Sequence, residues 1–328
     1  MLNNKTILIT GGTGSFGKKF VKMTLERYKP KRLIIFSRDE LKQFEMAQDF
    51  PMSDTSPIRF FIGDVRDKER LYRACRGVDV IVHAAAMKQV PASEYNPTEA
   101  IKTNIYGAQN LINVASDLGV ECVVALSTDK AVAPVNLYGA TKLASDKLFV
   151  AANAFALGPR YSVVRYGNVI GSRGSVVPFF MKKRKEGVLP ITDDRMTRFW
   201  ITLDKAVEMV FHAIECSAGG EIYVPRIPSM KITDLATAIA PECGQKVVGI
   251  RPGEKLHECM IPAEESHNVV RTDTGYIILP MSDVLRYKGD ISRYEKVPEG
   301  FAYGSDTNDD WISIEEFRAV LKEQGFEI

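Results

Sequence analysis

Thr6–Gly17, TILITGGTGSFG, is the stretch whose reading decides the fold. Its first five residues are apolar or β-branched at successive positions, the pattern of a strand covered on both faces. The chain then enters Gly11-Gly12-Thr13-Gly14-Ser15-Phe16-Gly17, and Ser15–Arg27 reads as an amphipathic helix. Gly11, Gly14 and Gly17 stand three apart, a variant of the dinucleotide fingerprint. Glycine there lets the backbone turn tightly, approach a pyrophosphate and pack helix against strand. The helix N-terminus adds amide donors and a dipole that favours an anion. A glycine triplet alone is a weak signal; the strand–turn–helix context makes it specific. Gly11, Thr13, Gly14, Ser15, Phe16 and Gly17 are therefore the expected pyrophosphate cradle.

Outward from this turn the same alternation continues. Leu33–Ser37, Arg59–Ile62, Val78–His83, Cys122–Leu126 and Tyr161–Arg165 read as strands, with Pro97–Leu118 and Asn136–Phe155 among the helices. Strands alternating with helices predict an α/β fold, a doubly wound parallel sheet. Beyond residue 168 glycine and proline become more frequent, as in Gly171–Gly174 and Arg251–Glu254. A helix is expected near Thr233, capped by Thr233-Asp234. The reading is a nucleotide-binding domain over 1–168 and a smaller C-terminal α/β substrate lobe over 169–328. Some of its segments, Asp204–Ile214 above all, should pack back onto the sheet.

The tip of the second strand selects the cofactor. Versions that bind NAD place an acid there for the ribose 2′-hydroxyl. This strand ends Phe36-Ser37-Arg38 instead. A hydroxyl followed by a guanidinium suits a 2′-phosphate, so NADP is expected. Asp39 and Glu40 follow directly and pull the other way. Asp64-Val65, after the third strand, should flank the adenine.

Composition narrows the function classes. The chain has 328 residues, 45% hydrophobic and 26% charged, with a formal net charge of +2. That balance points away from nucleic acid, and the run Met181–Lys185 reads as a solvated helix face. No stretch approaches the roughly 18 apolar residues of a membrane span, and no leader architecture precedes the first strand. Five scattered cysteines without CxxC spacing predict free thiols in a reducing cytoplasm. Four histidines lack metal-ligand spacing, so no metal is expected. His83 reads as the end of a core strand.

Catalysis is expected beyond the fifth strand. Of 12 tyrosines only Tyr138 has lysine four residues on, Lys142. That spacing puts both side chains on one helical face. An ammonium beside the phenol should lower its pKa and make a usable base.

Here the chain resembles a known family, the extended short-chain dehydrogenases, and among them the C5-inverting UDP-N-acetylglucosamine 4,6-dehydratases. The resemblance runs over nearly the whole chain. It is carried by GGTGSFG (Gly11–Gly17), SRDELKQ (Ser37–Gln43), GDVRD (Gly63–Asp67), HAAAMKQVP (His83–Pro91), STDKA (Ser127–Ala131) and NLYGATK (Asn136–Lys142). VVRYGNVIGSRGSVVPFF (Val163–Phe180), MTRFWIT (Met196–Thr202) and RPGEKLHE (Arg251–Glu258) continue it. The resemblance implies a Rossmann domain and extends the cofactor contacts to Asp39, Glu40, Leu41, Lys42 and Ala85. It marks Lys88, Ser127, Thr128, Asn168, Arg198, Arg251 and Glu254 as substrate contacts, although Arg198 could instead brace Trp200.

The implied reaction oxidises the sugar at C4, eliminates water across C5 and C6, and returns hydride to C6, the opening step towards pseudaminic acid. Tyr138 would take the C4 hydroxyl proton, with Thr128 bonding that hydroxyl. Asp129 would serve as acid for the C6 hydroxyl and Lys130 as base for C5–H. Desolvation should raise the pKa of Asp129 and lower that of Lys130. Relatives that retain C5 configuration carry Glu where Lys130 stands, so the lysine implies inversion. The alternatives are a UDP-hexose C4-epimerase, a C5-retaining dehydratase and a non-catalytic NADP sensor. The resemblance also implies a homo-oligomer, dimer or hexamer.

Overall fold

β1 (Thr6–Thr10) is buried at every position and sits inside a ten-stranded sheet. It pairs in parallel with β2 (Arg32–Ser37) on one side and β4 (Val80–His83) on the other. β3 (Ile58–Ile62) lies outside β2, while β5 (Cys122–Thr128) and β6 (Arg160–Tyr166) continue beyond β4, all parallel. The order β3-β2-β1-β4-β5-β6 reverses direction at β1. In an open α/β sheet this switch point leaves a crevice at the carboxyl ends of the strands. The computed structural model describes every residue except 52, 54, 156, 157, 281–286 and 288.

The helices α1 (Ser15–Arg27), α2 (Glu40–Asp49), α3 (Lys68–Ala74), α4 (Val90–Tyr95), α5 (Pro97–Ile101), α6 (Gly107–Leu118) and α7 (Leu137–Phe155) connect these strands. Later segments extend the same sheet. Ile222–Pro225 adds in parallel to β6, followed by antiparallel Gly275–Ile278, Val269–Thr272 and Glu295–Lys296. The helix Leu203–Cys216 packs on α1, with Phe211 against Phe20 and Tyr28. A second apolar core gathers residues beyond 169, where Trp200 meets Phe317 edge-on.

Two expectations need correction. Pro97–Leu118 is not one helix, because a π-helical turn, Lys102–Tyr106, separates α5 from α6. The wide turn carries Asn104, which is buried. Its carboxamide accepts from the Met87 N–H (2.8 Å) and donates to the Met87 carbonyl (2.9 Å) and to Thr141 Oγ1 (2.9 Å). An insertion of this kind inside a helix commonly serves a site; here it clamps the loop after β4 to α7. The helix expected near Thr233 starts at Ile232, with Lys231 at its N-cap, because strand Ser229–Lys231 runs straight into it. Asp234 falls in the first turn instead. All five cysteines are free. Among the described residues, no helix is long and apolar enough to cross a membrane.

Candidate active site

The glycine turn closes on the crevice. Gly11 adopts φ +64°, and a Cβ there would lie 2.9 Å from the backbone of Ala84 and Ala85. At Gly17 a Cβ would meet the Gly12 carbonyl oxygen at 2.2 Å, so only glycine lets α1 pack on the turn. Gly14 is the N-cap of α1 and contributes no side-chain cap, which leaves the first-turn amides open to an anion. The β4 side is fixed by Thr10, whose hydroxyl accepts from the Ala85 N–H (3.2 Å) and meets His83 Nδ1 at 2.8 Å. Burial drives the His83 pKa down to about 3, so its ring is neutral and structural.

A cleft of about 1090 Å³ runs from this turn along the strand ends. It is lined by Gly11, Thr13, Gly14, Ser15, Phe16, Gly17, Ser37, Arg38, Asp39, Lys42, Asp64, Val65 and Ala85 on the cofactor side. Lys88, Ser127, Thr128, Lys130, Tyr138, Lys142, Asn168, Arg198, Arg251 and Glu254 line the remainder. Of the residues singled out in the sequence, three stay off its wall. Glu40 and Leu41 lie on α2, and Asp129 is completely buried behind its neighbours.

At the tip of β2 Asp39, one of the two acids that argued for NAD, is committed locally. Asp39 caps α2 by accepting from Lys42 N–H (3.0 Å) and pairs with the Lys42 ammonium, which holds its pKa low. The Arg38 side chain is 67% exposed and lies 3.8 Å from Asp64, with Asp39 close enough to feel its charge. The pair Ser37-Arg38 thus faces the cleft with a cation to spare.

The catalytic cluster sits where β5 ends. Thr128 Oγ1 donates to Asp129 Oδ1 (2.9 Å), and Lys130 Nζ donates to the same oxygen (3.0 Å) and to Asn168 Oδ1 (3.3 Å). Glu258 closes the other side of Lys130, at 3.3 Å. Desolvation pushes the Lys130 pKa down, but Asp129 and Glu258 outweigh it and the result is upward. The expectation of a lowered value is thereby corrected: two carboxylates hold Lys130 as an ammonium. Tyr138 is also corrected. Burial pushes its phenol up to about 12, opposed mainly by the charge of Lys130 and a hydrogen bond with Thr128. Lys142 is itself buried, and desolvation lowers its pKa against the pull of Asp146.

Asp146, one helical turn beyond Lys142 on α7, was missed in the sequence, although Tyr138, Lys142 and Asp146 repeat at four-residue spacing. It accepts from Ser127 Oγ (2.6 Å) and lies 3.7 Å from the buried Arg165 guanidinium. Ser127 therefore spends its hydroxyl on Asp146. Arg198 is similarly committed. It donates to the carbonyls of Thr197 (2.6 Å), Leu256 (3.0 Å) and Lys255 (2.8 Å), so it anchors the Lys255–Glu258 segment, while its Nε faces Glu258 at 3.8 Å. Arg251 stays exposed, 3.7 Å from Glu254, on a turn tied to α7 by Asn136 Nδ2 and the Gly253 carbonyl (2.7 Å). Lys88 Nζ donates to the Arg173 carbonyl (3.1 Å).

A glycine turn at a sheet switch point, flanked by two parallel βα runs, is the fold of the short-chain dehydrogenases. Residues 7–280 match the model of a family described as polysaccharide biosynthesis protein. The chain is 56% identical, over 99% of its length and all of the relative, to a UDP-N-acetylglucosamine 4,6-dehydratase (inverting) of Campylobacter jejuni. It is 41% identical to a UDP-glucose 4-epimerase of Rickettsia akari, covering 86% of this chain and 84% of that one. Among solved structures it is similar to Pen from Bacillus thuringiensis, with TM-score 0.90, 34% identity and 99% coverage of both chains. It is also similar to the dTDP-glucose 4,6-dehydratase DesIV of Streptomyces venezuelae, which holds NAD; TM-score 0.68, 26% identity, 76% of this chain and 86% of that one. The chain belongs to the polysaccharide biosynthesis protein family.

Proposed function

We propose that this protein is a C5-inverting UDP-N-acetylglucosamine 4,6-dehydratase, an NADP-dependent hydro-lyase acting at the opening step towards pseudaminic acid. The observation that carries the reading is the Asp129–Lys130 pair at the end of β5, with Tyr138 beside it and the cleft in front. An epimerase needs the tyrosine but has no task for that pair. The 56% identical relative named as an inverting dehydratase supports the same choice.

The cradle fits a dinucleotide: Gly11 and Gly17 leave no room for a side chain, and the α1 amides face the crevice. Ser37 and Arg38 would take a 2′-phosphate. NADP, when bound, supplies the hydride chemistry, removal from C4 and return to C6. The remaining tasks fall to the chain itself. Tyr138 takes the C4 hydroxyl proton, and its phenolate relies on the neighbouring charge of Lys130, and on the Thr128 hydroxyl once that turns from Asp129 to the phenolate. For elimination, Lys130 Nζ passes one proton across 3.0 Å to Asp129 Oδ1. That single transfer creates the neutral amine and the protonated acid together, with no change in the charge of the pair. The amine then takes the C5 proton, and Asp129 protonates the departing C6 hydroxyl, which leaves as water. The pair returns to ammonium and carboxylate. Because Asp129 is fully buried, Lys130 must swing off it as the sugar binds.

Lys130 itself is the reason for choosing inversion, since the retaining branch resembled here carries Glu at that place. The region from 169 onward is read as the sugar-facing wall, and the enzyme as cytoplasmic and homo-oligomeric, a dimer or hexamer.

Purified protein given UDP-N-acetylglucosamine in deuterated water, without added reductant, tests the proposal by mass spectrometry and proton NMR. Loss of one water with deuterium at C5 is expected. Unchanged mass with an altered C4 signal would establish the epimerase instead, and no turnover at all a cofactor-binding sensor.

A further inference from the structure

Glu258 closes the RPGEKLHE run, yet the sequence reading assigns it nothing. In the structure it enters the cleft just before strand Cys259–Ile261 and is 2% exposed. Its backbone is fixed both ways by Ser305: the Glu258 N–H donates to Ser305 Oγ (2.9 Å), and the Ser305 N–H donates to the Glu258 carbonyl (2.8 Å). Arg198 holds the preceding carbonyls of Lys255 and Leu256. The carboxylate so placed lies 3.3 Å from Lys130 Nζ and 3.8 Å from Arg198 Nε through Oε1. Oε2 is 3.9 Å from Lys255 Nζ and accepts no hydrogen bond.

A buried carboxylate with a spare lone pair is expensive to keep unless a neighbouring charge uses it. The charged groups around it are Lys130, itself paired with Asp129, from the β5 side, Arg198 from strand Thr197–Ile201, and Lys255 from its own loop. His257 is turned away, with Nδ1 on Thr197 Oγ1 at 2.8 Å.

We propose that Glu258 is a positioning residue for Lys130: it fixes the amine from the side opposite Asp129 and stabilises the ammonium that forms as the C5 proton arrives. The inference rests on the dehydratase reading above. In the step concerned the C5–H bond breaks and an N–H bond forms on Lys130. The C5–H electron pair becomes the C5–C6 double bond as the C6–O bond breaks, and the hydroxyl leaves as water with the proton from Asp129. Glu258 exchanges no proton; its negative charge compensates the positive charge gained by nitrogen.

Wild-type enzyme is compared with Glu258→Gln, Glu258→Asp and Lys255→Met, using ordinary and C5-deuterated UDP-N-acetylglucosamine across a pH series. Glu258→Gln should lower kcat roughly 10- to 100-fold with KM changed less, as for loss of one catalytic charge interaction. Its C5 isotope effect should grow. The alkaline limb should move to lower pH, since Lys130 without Glu258 loses its proton sooner and leaves the pair short of the acid it needs. Glu258→Asp should restore most of that shift. Lys255→Met, which strips Glu258 of its own counter-ion, should move the limb to higher pH, and it carries the test if the glutamine variant fails to fold. A raised KM with unmoved limb and isotope effect, or no shift in Lys255→Met, overturns the proposal. Failure of the wild-type enzyme to release water would sink the dehydratase reading instead, a separate result.

Discussion

Replacing Arg38 by alanine is the sharpest test of cofactor choice. The guanidinium stands at the tip of β2 with 67% of its side chain exposed, 3.8 Å from Asp64 and hydrogen-bonded to neither Asp64 nor Asp39. Its donors are therefore available to a phosphate. Charge-assisted hydrogen bonds contribute about 1.5–3 kcal/mol net, and exposure to water puts this one at the lower end. About 1.4 kcal/mol is a tenfold change in affinity, so the Kd for NADP should rise about tenfold. NAD lacks the 2′-phosphate, and its Kd should stay within about twofold. Calorimetric titration with each nucleotide measures both, and the NADP preference should shrink as salt rises, as screening requires. An equal loss for the two nucleotides, or none for NADP, would refute the assignment of Arg38 to a 2′-phosphate.

Gly17→Ala puts a Cβ on the Gly12 carbonyl at 2.2 Å, forcing α1 off the turn; the rise in melting temperature that NADP gives wild-type protein should disappear. Asp146→Ala removes the carboxylate that faces buried Arg165 and Lys142; Arg165 keeps Glu265 at 3.6 Å, so the cost in urea unfolding should be about 3 kcal/mol, the low end for a broken buried pair, with Asp146→Asn milder. His83 is neutral in the fold, with a pKa near 3 against 6.5 unfolded. The unfolded chain binds the extra proton first, so this contribution to stability is complete above pH 6.5 and drains away as pH falls towards 3. Unfolding free energies of His83→Gln should show a flatter slope in that range.

The sheet was legible because its strands are apolar at successive positions and its first turn is written in glycines, both local signals. The glycine turn and Ser37-Arg38 were named from the same local signals, whereas Glu40 and Leu41, named from the resemblance, do not line the cleft, and Gly63 and Ala84, which do, carry no such signal. The ionisation of Lys130 and Tyr138 was not legible. At Tyr138 desolvation dominates, whereas at Lys130 it is outweighed by two carboxylates, the adjacent Asp129 and Glu258, and the second reaches the lysine only through tertiary packing. The π turn escaped for another reason. Pro97–Leu118 has helical periodicity throughout, and the wider register at Asn104 answers to Met87 and Thr141 rather than to its own neighbours. Arg198 lines the cleft while giving three of its five donors to the backbone carbonyls of Thr197, Lys255 and Leu256.

The strand Ile222–Pro225 has one further consequence. By hydrogen bonding to β6 it makes a single continuous ladder of what the chain order presents as two halves. The ladder ties the strands Ile222–Pro225, Gly275–Ile278 and Val269–Thr272 rigidly to β6. Traffic of nucleotide and sugar therefore falls to the connecting segments that overhang the strand ends. Foremost are Gly171–Ser175, whose Arg173 N–H reaches Ser15 Oγ (3.3 Å), and the Arg251–Glu254 turn across from it. Cross-linking those two segments would trap whatever lies beneath while leaving the framework unstrained.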